Sequence, residues 1–144
     1  MLKGIPSILS PELLKVLMEM GHGDEIVIAD GNFPSAAIAQ RLIRLDGHNV
    51  PEILDAVMKF FPLDTYVDEP IALMSVVPGD DEAPTIWDEY RSIINKYEPD
   101  NCKIGFVSRF DFYERAKKAY AVIATGETAI YANILLKKGV VKNG

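Results

Sequence analysis

The sequence predicts an α/β fold: a three-layer α/β/α sandwich around a mixed, about six-stranded sheet, in one domain over residues 1–144. Three observations carry that expectation. Short β-type runs alternate along the chain with longer stretches whose apolar residues recur at helical spacing. Most of the runs are apolar throughout, as strands covered on both faces are. The last two runs are joined by only about seven residues, too few for the dozen or more that a parallel crossover takes. The sheet is therefore expected to be mixed.

Taken in order, Ser10-Pro11-Glu12 opens the first helix, with Ser as N-cap and Pro in the first turn, where no N–H is needed. Leu13, Leu14, Val16, Leu17 and Met20 follow at helical intervals, and Gly21 takes the glycine position that ends a helix. Residues 25–29 are an apolar strand, stopped by the turn cluster Asp30-Gly31-Asn32. Residues 34–39 fit a short helix and residues 42–45 a second strand, closed by Asp46-Gly47. Pro51 begins a helix with Ile53, Leu54, Val57, Met58 and Phe61 on one face and Pro62 at its end. Residues 71–77 are a third strand, 78–84 an acidic loop, and 85–97 a helix bearing Trp87, Tyr90 and Ile94 at the right intervals. A fourth strand at 103–107, a helix at 109–119, a fifth strand at 120–125, a turn at Gly126-Glu127 and a sixth strand at 133–137 complete the chain. No repeat, low-complexity tract or linker interrupts it.

Composition narrows the function. Lys and Arg number 15 against 21 Asp and Glu, a net charge of −6. Nucleic-acid binding draws on phosphate neutralisation, and the best basic patch here, Arg115, Lys117 and Lys118, is small and interrupted. No apolar run approaches the ~20 residues of a membrane span, and residues 1–7 lack a signal-peptide core. Neither nucleic acid nor membrane is expected as a partner. A lone Cys102 fits a reducing, cytoplasmic setting and excludes thiolate zinc sites. Two histidines without paired spacing make a zinc hydrolase unexpected, and no metal site is predicted. Glycine-rich dinucleotide or phosphate loops and a nucleophile elbow are absent.

The candidate residues follow from topology. Open α/β sheets bind ligands beyond the carboxyl ends of their strands, which points to Asp30 after the first strand and Arg109 after the fourth. Asp30 is equally ordinary turn chemistry, and Arg109 fits pairing with Asp111 as well as clamping a ligand. His22 stands between Gly21 and Gly23, where the backbone can approach a ligand closely. It titrates near neutrality, yet a solvated loop residue has the same signature. Tyr131-Ala132-Asn133 reads as a turn entering a strand, with Asn133 as turn residue or ligand. Asp80, Asp81 and Glu82 read most simply as a solvated loop. Together these residues fit acid–base chemistry on a small polar molecule, or simple binding.

Longer strings add a resemblance. Ser10-Pro11-Glu12-Leu13-Leu14-Lys15-Val16-Leu17 and Glu19-Met20-Gly21-His22-Gly23-Asp24-Glu25-Ile26 resemble the start of the fucose mutarotase / D-ribose pyranase family. Phe112-Tyr113-Glu114-Arg115-Ala116, Thr125-Gly126-Glu127 and residues 131–140 resemble its second half, and Arg109-Phe110 with the residues after it favours the fucose branch. The resemblance implies an α/β/α fold, no cofactor, and interconversion of the α and β anomers of L-fucose or a related sugar. It implies His22 as catalytic acid, with Asp30, Arg109, Tyr131, Ala132 and Asn133 binding the sugar. It also implies a ring-shaped homodecamer with sites near subunit contacts. A D-ribose pyranase and a non-catalytic sugar-binding protein on the same scaffold are the alternatives. One departure is Ala132, where glycine is common in the fucose branch.

Overall fold

The structure, a computed structural model, describes residues 1–80, 83–101 and 103–143. Asp81 and Glu82 of the acidic loop, and the Cys102 thiol, lie outside the described residues. Among the described residues the elements are α1 (Pro11–Glu19), β1 (Glu25–Ala29), α2 (Ser35–Ile38), β2 (Leu42–Leu45), α3 (Val50–Met58), β3 (Ile71–Met74), α4 (Ile86–Tyr97), β4 (Ile104–Val107), α5 (Arg109–Lys118), β5 (Ala121–Thr125) and β6 (Ile134–Lys137). The strands form one sheet in the order β2-β5-β1-β6-β3-β4.

The sheet is mixed, as the short last connection predicts. β5 pairs in parallel with both β1 and β2, and β3 in parallel with β4. β6 lies between β1 and β3 and runs against both. Five strands therefore end at one edge of the sheet, and β6 begins there.

Side-chain alternation builds the three layers. Ile26 and Ile28, with Ile71, Leu73, Ile123 and Ile134, pack in one core with Leu13 of α1, Ile53 of α3 and Tyr90 of α4. Val27, Ala72, Val122 and Leu135 point the other way, against Phe112 and Ala116 of α5 and Phe33 beside α2. Leu13 is wholly buried, so truncating it to alanine costs about 2–5 kcal/mol.

Several details depart from the sequence reading, among them that the helix expected to run from Pro51 to Pro62 stops at Met58. The helix at Pro51 begins one residue earlier, because Asn49 caps it and exchanges hydrogen bonds with Glu52 in a capping box. Gly21 is not a left-handed cap: α1 ends in extended backbone at Met20, the Gly21 N–H donates to Asp24 Oδ2 at 2.7 Å, and the positive φ falls at Gly23. β3 stops at Met74 rather than running to Val77. The Ser75 N–H still reaches the Val107 carbonyl, but the Val77 N–H donates to the Tyr131 hydroxyl instead of a strand.

Candidate active site

The carboxyl edge of the sheet holds a cleft of ≈ 330 Å³ lined by Asp30, Asn32, Phe33, Met74, Val77, Asp80, Arg109, Tyr113, Ile130, Tyr131 and Asn133. That volume is at the small end of ligand sites, which run from about 300 to 1,000 Å³. Its residues come from the end of β1, the segment after β3, the start of α5 and the segment entering β6. The antiparallel course of β6 is what delivers Tyr131 and Asn133 to an edge otherwise made of strand ends.

Asp30 is fixed from several sides. The Thr125 hydroxyl donates to the Ala29 carbonyl at 2.7 Å, and the Gly31 N–H donates to the Glu127 carbonyl at 2.8 Å. A side chain at Gly31 would begin 3.1 Å from that same carbonyl, so glycine permits the close approach. The Asp30 N–H donates to Asn133 Oδ1 at 2.7 Å, across 103 residues of sequence. The Asp30 side chain accepts from the Asn32 N–H at 3.0 Å. Burial pushes the Asp30 carboxyl above the usual carboxylate range; the main-chain N–H groups of Asn32, Phe33 and Ala132 pull it back, and the charge of Glu127 adds to the rise. Asn133 Oδ1 is thus committed, and Nδ2 is what Asn133 has left to offer a ligand.

Tyr131 has φ of 56°, a left-handed conformation that costs a bulky residue about 1–3 kcal/mol. Its surroundings hold it there. Trp87 Nε1 donates to the Tyr131 carbonyl at 2.9 Å, and the Tyr90 hydroxyl donates to the next carbonyl, Ala132, at 2.6 Å. The Tyr131 hydroxyl accepts the Val77 N–H at 3.1 Å and donates to Asp80 Oδ2 at 2.5 Å. Asp80 is therefore not just a solvated loop residue: it belongs to the cleft. Ala132 is wholly buried in the core and does not line the cleft, so it faces Asp30 only through its backbone.

Arg109 is the first residue of α5, after the N-cap Ser108, and is exposed. Its guanidinium lies 5.4 Å from the centre of the Tyr113 ring. Among the described residues no ion pair engages it, so its fork of donors faces the cleft unclaimed. The edge of Tyr113 in turn meets Phe33 at 5.2 Å between ring centres. The cleft thus pairs hydroxyl-binding groups with aromatic and aliphatic walls.

His22 is elsewhere. It precedes β1, at the amino edge of the sheet, and does not line the cleft. The five residues of β1 alone separate it from Asp30 by about 16 Å. Its neighbours are its own: Nε2 donates to Asp64 Oδ1 at 3.0 Å, and its ring centre lies 5.2 Å from that of Tyr66. The Asp64 side chain is 4% exposed and that of His22 47%. Burial works to raise the Asp64 carboxyl, but the Tyr66 N–H and His22 outweigh it and hold it below the usual range. With Nε2 facing Asp64, Nδ1 is the ring nitrogen left to meet another group.

Asp64, Tyr113 and Asp80 are the site-forming residues that sequence reasoning did not single out. Asp64 follows Pro62-Leu63, an unusual place for a carboxylate beside buried residues, and that is the one hint the chain offers. Among the described residues no three His, Cys, Asp or Glu side chains gather as metal ligands, and no helix is long and apolar enough to cross a membrane.

Residues 3–141 match the model of the RbsD / FucU transport protein family. The chain is similar to the human fucose mutarotase, 53% identical over 147 residues, covering 96% of this chain and 94% of that one. It is similar in structure to a fucose mutarotase from Streptococcus pneumoniae solved in complex with L-fucose, with 60% identity, a TM-score of 0.94, and coverage of 98% of this chain and 100% of the other. The Bacillus subtilis RbsD complexed with D-ribose is more distant, with 25% identity, a TM-score of 0.72, and coverage of 93% and 95%.

Proposed function

Because this chain belongs to the RbsD / FucU transport protein family, we propose that it is an isomerase that interconverts the α and β anomers of L-fucose. The observation that carries the reading is the end-to-end likeness, at 60% identity, to a fucose mutarotase whose structure holds L-fucose. The D-ribose alternative has a far weaker likeness behind it.

The cleft suits the reaction. Mutarotation opens the cyclic hemiacetal, lets the aldehyde turn, and closes it on the other face. The ring oxygen gains a proton as its bond to C1 breaks, and the anomeric hydroxyl loses one. General acid–base catalysis contributes about 10²–10⁴-fold to such steps, and holding the sugar in register adds to it. Asp30, desolvated and met only by main-chain amides, takes a sugar hydroxyl. Arg109 offers paired donors to vicinal hydroxyls, and Asn133 offers Nδ2. Phe33, Met74, Tyr113 and Ile130 supply apolar walls for the C–H face and methyl group of a deoxysugar.

In this reading His22 is the acid, and its distance from the cleft within one chain gives that assignment a condition: the His22 of one copy meets the cleft of another. The ring-shaped homodecamer implied by the family resemblance supplies such a contact. What supports it is exposed apolar surface at both ends, Phe110, Ile130 and Val77 around the cleft and Tyr66 near His22. The same proposal covers a single domain over residues 1–144 and a cytoplasmic location, for which the lone cysteine is suited.

Proton NMR saturation transfer between anomer signals tests the function directly. L-fucose exchange should accelerate in proportion to protein, and D-ribose ring-form exchange should accelerate much less. Saturable L-fucose binding without faster exchange would leave a binding protein, and faster exchange on D-ribose alone would leave a pyranase.

A further inference from the structure

We propose that Asp80 is the terminal proton acceptor of the reaction, working through the Tyr131 hydroxyl. The inference rests on the mutarotase reading and says which group removes the anomeric proton. Its basis is a tight turn. The Asp80 N–H donates to the Val77 carbonyl at 3.2 Å, closing Val77-Pro78-Gly79-Asp80, and Gly79 has φ of +101°. A left-handed glycine third is what a type II turn requires, and proline second is common in it. The turn presents two groups to one phenol oxygen: the Val77 N–H, 3.1 Å away, and Asp80 Oδ2, 2.5 Å away.

Counting protons and lone pairs at that oxygen fixes what it can do. A carboxylate only accepts, so the single phenol proton lies toward Asp80. One lone pair takes the Val77 N–H. The other remains, and Tyr131 lines the cleft. Toward the sugar, Tyr131 is thus an acceptor with its own proton already aimed at a second acceptor. Among the described residues, the charged and titratable groups that line the cleft with it are Asp80 from the turn, Arg109 and Tyr113 from α5, and Asp30 from the end of β1. Hydrogen bonding to Asp80 is the largest influence holding the Tyr131 phenol above its usual range, against Arg109 and the Val77 N–H. Tyr131 therefore stays a neutral phenol and passes a proton on rather than acting as a phenolate. Asp30 already accepts from main-chain amides and fits holding a hydroxyl in place.

The step balances. The O1–H bond of the sugar breaks, and its electron pair forms the C1=O1 double bond. The C1–O5 pair leaves with O5, which takes a proton from His22. The O1 proton goes to the Tyr131 oxygen as the phenol proton moves to Asp80. Closure on the other face runs each transfer backwards, so the site returns to its starting state without a co-reactant.

Asp80 acts through Tyr131 and need not touch the sugar, so the test separates relay from support. Asp80→Asn keeps an acceptor for the phenol but cannot take its proton, and at an exposed position it leaves the fold intact, with circular dichroism as the check. Saturation transfer on L-fucose should show kcat reduced about 10²-fold and KM within about twofold of the wild type. Tyr131→Phe should lose a similar factor, and the double variant should be no slower than the slower single one, as for two parts of one relay. Asp80→Asn with near-wild-type kcat, or with KM alone raised, or losses that multiply in the double variant, would overturn the relay. An inactive wild type would instead sink the mutarotase reading, so the two failures are told apart.

Discussion

Two buried aspartates sit at opposite edges of the same sheet, and their environments are opposites. Asp64, at the amino edge, accepts at Oδ1 from both the Tyr66 N–H and His22 Nε2, and its carboxyl is held below the usual range. Asp30, at the carboxyl edge, is about as buried, 6% exposed against 3%, but has main-chain amides and, among the described residues, no cation partner, and its carboxyl is pushed up. The difference teaches which end is complete. Asp64 and His22 make a finished pair within one chain. Asp30 is an unfinished one, desolvated by the fold and in need of hydroxyl donors that the chain itself does not supply.

The largest expected effect breaks or secures the link between those ends. His22→Gln should lower L-fucose exchange by at least about 10²-fold, as loss of a general acid does, and Asp30→Asn, which loosens the hold on the sugar, by about the same factor, both variants remaining folded. Refolded together in equal amounts, they should recover roughly a quarter of wild-type activity. In a head-to-tail ring, about that share of contacts joins an intact His22 to an intact cleft. No recovery at all would mean that the two ends do not share a site between copies.

A smaller effect sharpens the contrast between the aspartates themselves. A carboxyl raised in the folded state weakens the fold above its folded pKa, and that penalty fades as pH falls toward 3.8. A carboxyl lowered in the folded state supports the fold above 3.8, and that support is lost as pH falls through its folded value. Urea unfolding at pH 7 should therefore find Asp30→Asn more stable than wild type and Asp64→Asn less stable, each by about 1 kcal/mol. Both differences should shrink in acid. Shifts of the same sign at pH 7 would erase the contrast.

The smallest effect is at Ala132. Its methyl is in the core and not in the cleft, so Ala132→Gly should cost about 0.5–1 kcal/mol of stability and leave KM for L-fucose unchanged. A tenfold change in KM would mean that the methyl shapes the cleft after all.

The layers and most elements were legible because local pattern carries them: apolar runs such as Glu25–Ala29 and the Ser10-Pro11 helix start need no distant partner to be read. Strand order was not, since nothing in residues 133–137 says that they insert between β1 and β3. The strand-end rule reached Asp30 and Arg109, and the turn before β6 brought Tyr131 and Asn133 to the same cleft. What stayed hidden were contacts across long sequence distances. His22 meets Asp64 over 42 residues and Tyr131 meets Asp80 over 51, and an acidic surface loop looks the same in sequence whether or not a tyrosine reaches it. The separation of His22 from Asp30 was legible, because the strand at Glu25–Ala29 stands between them in the sequence; the partner of His22 was not.

The central position of β6 has a consequence for how the molecule comes together. On one side of it stand β2, β5 and β1; on the other, β3 and β4; and β6 is the one strand bonded to both groups. Without it the other five strands would make two small parallel sheets with no ladder between them. Docking of β6 is thus both the act that unites the two halves and the act that carries Tyr131 and Asn133 to Asp30. A chain without that pairing has no such cleft at all, and the cleft exists only with the closure of the whole sheet.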